Sequence, residues 1–308
     1  MQLEKLIVSS SPHIRSGETV QRIMFDVVIA LIPALIASII FFGLRALLIV
    51  ILTVVVCIAA EAICQKVLNK PITISDGSAI VTGILLAFNF PPTVPLYIPI
   101  VGGVLAIVVA KQIFGGLGHN PFNPALAARA FLVASWPAQM TNWINPDGSS
   151  AATPLGLMKL EGIATPYWDL FIGNIGGCLG ETSALALLIG GAYLLYRGHI
   201  DWRIPVGYLG TVAVLSLIFS QDPLFYLLSG GLMLGALFMA TDMVTTPITK
   251  RGRLVFGIGC GIITVLIRLF GGYPEGVSYS ILLMNALTPL IDRYTKPRTF
   301  GKKVIKNA

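Results

Sequence analysis

Apolar residues fall in long blocks, and the polar positions between them set the rhythm of the chain. Runs of 13 to 20 mostly apolar residues, punctuated by Gly, Pro, Asn or small charged clusters, occupy most of the sequence. A hydrocarbon core about 30 Å thick takes roughly 20 residues of helix, so these blocks read as full or partial crossings. We place spans at 26–44, 46–64, 78–90, 96–113, 122–136, 180–196, 204–220, 228–241, 254–270 and 277–291. The pattern predicts an all-α polytopic membrane protein of about ten transmembrane helices. The first run follows a polar N-terminal segment and lacks a small-residue cleavage site, so it reads as a retained span rather than a signal peptide. Spans three, five, eight and ten are short. Asn89-Phe-Pro-Pro92 and Gly118-His-Asn-Pro-Phe-Asn-Pro124 break the pattern further, and broken helices are tolerated at membrane depth only where their free backbone groups are buried in protein or line a cavity.

The two halves repeat an ordered set of features. Ser16-Gly-Glu-Thr19 precedes the first span and Leu179-Gly-Glu-Thr182 opens the sixth; Gly83 to Phe90 resembles Gly235 to Asp242; Ile113-Phe-Gly-Gly116 resembles Leu269-Phe-Gly-Gly272. Five spans per half is an odd number, so the second half would lie upside down relative to the first, the inverted-repeat architecture of many transporters. The predicted organisation is an N-terminal segment 1–25, a first repeat 26–136, a connecting loop 137–178, a second repeat 179–291 and a basic tail 292–308.

Composition and charge agree. Hydrophobic residues make up 55% of the chain and charged ones 11%, against roughly a quarter charged in soluble domains, and mean hydropathy is +0.83. Little remains for a soluble catalytic domain. The net charge of +7 suggests nucleic acid only until its distribution is read. Sixteen basic residues, including Lys66, Lys70, Arg197, Arg203, Lys250, Arg251, Arg253 and the tail, fall on alternate connections, against Arg45 and Lys159 on the others. By the positive-inside rule both termini are cytoplasmic and the 137–178 loop extracytoplasmic; a nucleic-acid partner is not expected.

Charges inside apolar runs mark candidate chemistry, because a charge at the bilayer centre costs at least roughly 2.5–3.5 kcal/mol. Arg129 lies in span five, Arg268 and Glu275 flank the last outward turn, Asp242 ends span eight, and Glu181 with Thr182 opens span six. Glu181 also suits a helix N-terminus as a cap. Asn120 and Asn123, in the broken run where span five begins, complete a candidate ion or ligand site. His13 and His119 read as loop residues. Cys57, Cys64, Cys178 and Cys260 form no Cys-x-x-Cys pair, so no metal or iron–sulfur site is expected.

The loop run Asp147-Gly-Ser-Ser-Ala-Ala-Thr-Pro154 is small and polar, reads as a flexible linker, and offers a threonine hydroxyl. Together with Ser10-Ser-Pro-His13, Ser75-Asp-Gly77, Phe114 to Ala125, Gly180-Glu-Thr-Ser183, Trp202-Arg203, Met239-Ala-Thr-Asp242, Tyr273-Pro-Glu-Gly276 and Pro289-Leu-Ile-Asp292, it carries a resemblance that covers nearly the whole chain. The sequence resembles the D subunit of the Rnf ferredoxin–NAD oxidoreductase complex, related to the B subunit of the sodium-translocating NADH–quinone reductase. That resemblance implies a prokaryotic cell (inner) membrane location, and electron transfer coupled to Na⁺ or H⁺ movement in a complex with the A, B, C, E and G subunits. It implies FMN joined through its phosphate to Thr153 by a separate flavin transferase. Asp147, Gly148, Ser150 and Ala152 match the attachment motif, while Ala151 stands where Gly is usual. A second, non-covalent riboflavin is a further implication. The family fold itself resembles urea channels, so the alternative is a channel or secondary transporter of the same inverted-repeat fold with no redox cofactor.

Overall fold

The computed structural model describes residues 17–272 and 276–297. Among them there is no strand, only one isolated antiparallel bridge between Ile144 and Ser150. Helix α1 (Val20–Phe42) starts where the Thr19 hydroxyl accepts the Arg22 N–H at 3.2 Å and ends at Gly43, whose φ of 71° turns the chain directly into α2 (Leu44–Val67). These two and α13 (Lys250–Phe270) are long and apolar enough to cross a membrane. Rows of exposed aliphatic side chains, Ile29, Ile32, Ile36 and Ile40 on α1 and Leu48, Ile51 and Val55 on α2, suit a hydrocarbon solvent. The molecule is a helical membrane protein.

The remaining elements are shorter: α3 (Ser78–Phe88), α4 (Tyr97–Val104), α5 (Pro124–Ser135), α6 (Pro137–Met140), α7 (Pro154–Glu161), α8 (Tyr167–Ile172), α9 (Ala184–Arg197), α10 (Arg203–Ile218), α11 (Pro223–Leu228), α12 (Leu232–Leu234) and α14 (Val277–Thr295). Helix α4 loosens into a π-helical stretch over Leu105–Gln112 and α12 into another over Gly235–Met239. Such wide turns recur at functional sites.

Three expectations change. The helix of the tenth predicted span is longer than its apolar run: α14 covers 19 residues, because Asp292 and Arg293 continue the helix past the apolar stretch. The run 147–154 is not a flexible linker: it forms a tight hairpin leading into α7, and the 137–178 loop around it carries α6, α7 and α8. Span six starts at Ala184 rather than 180, which leaves Glu181 and Thr182 ahead of the helix.

Packing follows small residues. Helix α2 lies against α3 and α4, α10 against α11 and α13, α1 against α9, and α5 against α14. At the α1–α9 crossing, a Cβ on Gly190 would sit 2.0 Å from the Ala30 carbonyl oxygen, and between α2 and α3 one on Gly83 would sit 2.8 Å from Val54 Cα. Without a hydrophobic drive between helices in lipid, such close backbone approach supplies the attraction. Gly190→Ala should therefore cost about 1–3 kcal/mol by overpacking, read as a lower melting temperature in detergent-solubilised full chain. Gly210→Ala, with nothing within 4 Å of the new methyl, should be neutral or slightly stabilising through helix propensity; equal losses in both variants would refute the close α1–α9 crossing.

Candidate functional site

Helix α3 stops at Phe88 inside the bundle, and the chain before α9 takes up its free carbonyls. The Gly180 N–H donates to Phe88 O at 3.0 Å and the Leu179 N–H to Phe90 O at 2.9 Å. Only glycine fits at 180, since a Cβ there would lie 2.1 Å from Phe88 Cγ. Asn89, in the break, donates from Nδ2 to Leu85 O at 2.6 Å and accepts on Oδ1 from the Arg129 guanidinium. The Cys178 thiol donates to Asn89 O at 3.3 Å. Glu181 Oε1 accepts the Cys178 N–H at 3.1 Å. Glu181 is not the α9 cap; Ser183 fills that role, its Oγ accepting the Ala186 N–H at 3.3 Å.

Glu181 Oε2 is buried without a hydrogen-bond partner among the described residues, and it points at Gly231, where a Cβ would be 2.6 Å away. Asn89, Arg129, Glu181, Gly231 and Arg268 line one small cavity. Arg268 donates to Tyr226 O at 2.6 Å and Ser229 O at 3.0 Å, carbonyls at the C-terminal end of α11, with its guanidinium 5.7 Å from the Tyr226 ring centre. A cation is favoured there by the helix dipole. Three of the charges singled out from the sequence thus converge with an asparagine that was not. Thr182 is buried beside them. Glu275 lies outside the described residues.

Asp242, Asn120 and Asn123 line a different, larger cavity with Ser78, Lys111 and His199. Asp242 accepts from the Val244 N–H at 3.3 Å and the Thr245 hydroxyl at 3.1 Å. Asn120 Nδ2 donates to Phe122 O at 3.0 Å. Asn123 has a joining role: its Oδ1 caps α5 by accepting from Ala125 and Leu126, its Nδ2 donates to Met239 O at 3.3 Å, and its own N–H donates to Asn285 Oδ1 at 3.2 Å. Beside this cavity lies a buried ion pair that the linear pattern does not announce. Lys111 Nζ stands 2.8 Å from Glu61 Oε1 and donates to Ser78 Oγ at 2.6 Å, and Gln112 Nε2 donates to the same Glu61 oxygen at 2.7 Å. Asp26 on α1 accepts from Tyr193 at 2.9 Å and Arg197 at 2.7 Å, with His199 Nε2 at 2.6 Å. The sequence signal for these groups is a lone charge in each apolar run, which says nothing of who pairs with whom. Among the described residues no three His, Cys, Asp or Glu side chains converge as a metal site requires.

The segment before α7 is a hairpin. The Asn145 N–H donates to Ser149 O and the Gly148 N–H to Asn145 O, both at 2.9 Å, with Gly148 at φ 83°. Asp147 Oδ1 accepts from the Ser149 hydroxyl at 2.6 Å and its N–H at 2.9 Å, bonds that hold the Asp147 carboxyl below the usual carboxylate range. Ser150 pairs with Ile144, and Ala152 is half-buried. Thr153 is 5% exposed and caps α7, its Oγ1 accepting the Gly156 N–H at 3.2 Å. Helix α7 is docked on the bundle: Lys159 Nζ donates to Arg268 O at 3.0 Å and to Gly271 O. A cavity of about 210 Å³ lies beside it, lined by Leu155, Met158, Lys159, Tyr226 and Arg268.

Comparison of the sequence with known proteins places the chain in a family. The model of the family described as NQR2, RnfD, RnfE matches residues 7–301. The chain is 55% identical over 98% of its length, and 97% of the relative's, to the D subunit of the Na(+)-translocating ferredoxin:NAD(+) oxidoreductase complex of Acetobacterium woodii. It is 47% identical, over 98% of each, to the D subunit of the proton-translocating ferredoxin:NAD(+) oxidoreductase complex of Clostridium ljungdahlii. The D subunit of an ion-translocating oxidoreductase complex of Stutzerimonas stutzeri is 42% identical over 92% of this chain and 93% of its own. The chain belongs to the NQR2, RnfD, RnfE family.

Proposed function

We propose that this chain is the membrane electron-carrying subunit of an ion-translocating ferredoxin:NAD⁺ oxidoreductase complex, with FMN held as a phosphoester on Thr153. The observation that carries the reading is near-full-length similarity to the D subunits of such complexes. The chain is not catalytic alone; its partners are the other Rnf-type subunits, and a flavin transferase matures it.

The residues present suit the group. Thr153 supplies a hydroxyl at the N-terminus of an eight-residue helix, where helix N–H groups and dipole favour a phosphate. Lys159, Arg268 and Tyr226 around the neighbouring cavity offer cations and an aromatic face suited to an electron-accepting ring. When bound, the flavin supplies the redox chemistry. This chain's own groups hold it at the end of the bundle and place fixed charge near it. The larger cavity, mostly apolar and bordered by Asp242, Asn120 and Asn123, is the place for a second, non-covalent riboflavin.

The inverted repeat is part of this reading. It is supported by matching neighbours in the two halves, α2 with α4 and α10 with α13, and by cross-half contacts of α1 with α9 and α5 with α14. With both termini cytoplasmic, the Thr153 loop faces outward and the Arg129–Glu181–Arg268 cavity lies between it and the bundle interior, where a proton or Na⁺ would be coupled to the flavin charge.

Two experiments test this. After denaturing electrophoresis, chain matured with the transferase should keep flavin fluorescence, Thr153→Ala should lose it, and Thr153→Ser should retain it; fluorescence surviving in Thr153→Ala refutes the acceptor, and a fully flavin-free matured chain supports the channel alternative. In the intact complex, Glu181→Gln, Arg129→Gln or Asp242→Asn should lower ion-coupled turnover by on the order of tenfold, the effect of about 1.4 kcal/mol on a barrier, with covalent flavin unchanged. Wild-type coupling in all three removes these residues from the ion path.

A further inference from the structure

Thr153 is a poor substrate in the place where the fold keeps it. Forming its phosphoester requires Oγ to attack the FMN phosphorus of an activated donor, a flavin dinucleotide: the Oγ–P bond forms, the P–O anhydride bond breaks, a nucleoside monophosphate leaves and the hydroxyl proton passes to a base of the transferase. In-line attack needs open space around Oγ. Here Thr153 is 5% exposed, its Oγ1 is engaged by the Gly156 N–H, and Pro154, Leu155 and Gly156 behind it are buried.

We infer that α7 is a latch over its own modification site, and that Thr153 accepts the flavin only while the Pro154–Glu161 helix is undocked. This rests on Thr153 being the acceptor. Two anchors hold the latch. Leu155 fits a notch at Gly230, where a Cβ would lie 2.8 Å from Leu155 Cδ1 and where φ is +66°. The Lys159 ammonium holds the carbonyls of Arg268 and Gly271 at the end of α13. Both ends of the swinging segment already have turns to pivot on, the Asn145–Ser149 hairpin before it and Gly162 at φ 70° after it. An eight-residue helix is not stable by itself in water, so the undocked segment is an unfolded peptide, the form an enzyme's active-site cleft can take in.

The test uses full-length chain purified in detergent, and it has two readouts. Without any flavin, Thr153→Cys should react with a membrane-impermeant maleimide far more slowly than the exposed Ser149→Cys, and adding Lys159→Met should speed Thr153→Cys labelling by about three- to tenfold, as expected on losing a hydrogen-bonded anchor. With transferase and flavin dinucleotide, Lys159→Met and Leu155→Ala, each checked for a monodisperse fold, should raise the initial rate of flavin transfer to Thr153 by a similar factor. Labelling of Thr153→Cys as fast as Ser149→Cys in the wild-type background overturns the latch, and so does transfer that ignores both variants. Slow labelling with no transfer even to denatured chain instead overturns the acceptor reading beneath it.

Discussion

Most of this molecule depends on how it answers the backbone groups freed where α3 ends. Deep in an apolar bundle an unpartnered N–H or C=O costs several kcal/mol, so Phe88 and Phe90 cannot simply leave their carbonyls exposed. The segment 178–180 supplies two N–H groups to them, and that exchange sets everything nearby. It requires glycine at 180, because Phe88 occupies the space of a Cβ. It carries Glu181 to the same depth, and it leaves Asn89 at the turn with Oδ1 facing Arg129. The polar cavity is thus a consequence of the broken helix rather than a separate feature, and the two halves of the chain are bonded to each other at the point where charge collects.

Charge at that depth is held by geometry that makes its loss asymmetric. Arg268 rests on two carbonyls at the end of α11, and Lys111 and Glu61 pair beside Ser78 and Gln112. Removing one member of such a pair strands the other, at a cost of about 3–5 kcal/mol, whereas the intact pair adds little net stability. The geometry is also contiguous with the loop: Lys159 on α7 bonds the main-chain oxygen of Arg268, whose side chain reaches the Glu181 cavity. A short chain of contacts, Lys159 to Arg268 to the cavity wall, therefore joins the helix that begins at Thr153 to the buried carboxylate.

The helical character and the long apolar helices α1, α2 and α13 were legible because their signal is additive: a run of apolar residues declares its length whatever it packs against. The helix ends were not, for particular reasons. Span six opens at Ala184 rather than 180 because 178–180 is bonded to the end of α3, a use of backbone that composition does not encode. The end of α14 carries charge yet stays helical. The fold of the loop rests on side-chain bonds such as Ser149 to Asp147, which a small, polar composition disguises as a linker. Of the candidate residues, Arg129, Glu181 and Arg268 were visible as charges out of place, and the structure brings them together. Glu61 and Lys111 were equally out of place, but the long stretch of chain between them hides their partnership.

Under the proposed function, Thr153 is one residue that serves two demands that conflict. A threonine before Pro154, in the extended region at φ −64° and ψ 154°, is a good helix cap, and a cap of this kind is worth about 1 kcal/mol. The same hydroxyl is the only group on α7's first turn that can form a phosphoester. Capping turns it inward onto the Gly156 N–H; esterification needs it outward. A long, self-sufficient helix would settle that conflict permanently in favour of the cap. A helix of eight residues cannot, because its stability comes from the bundle through Leu155 and Lys159, and when those contacts open the cap opens with them. On that proposal, the shortness of α7 is what keeps Thr153 available for modification.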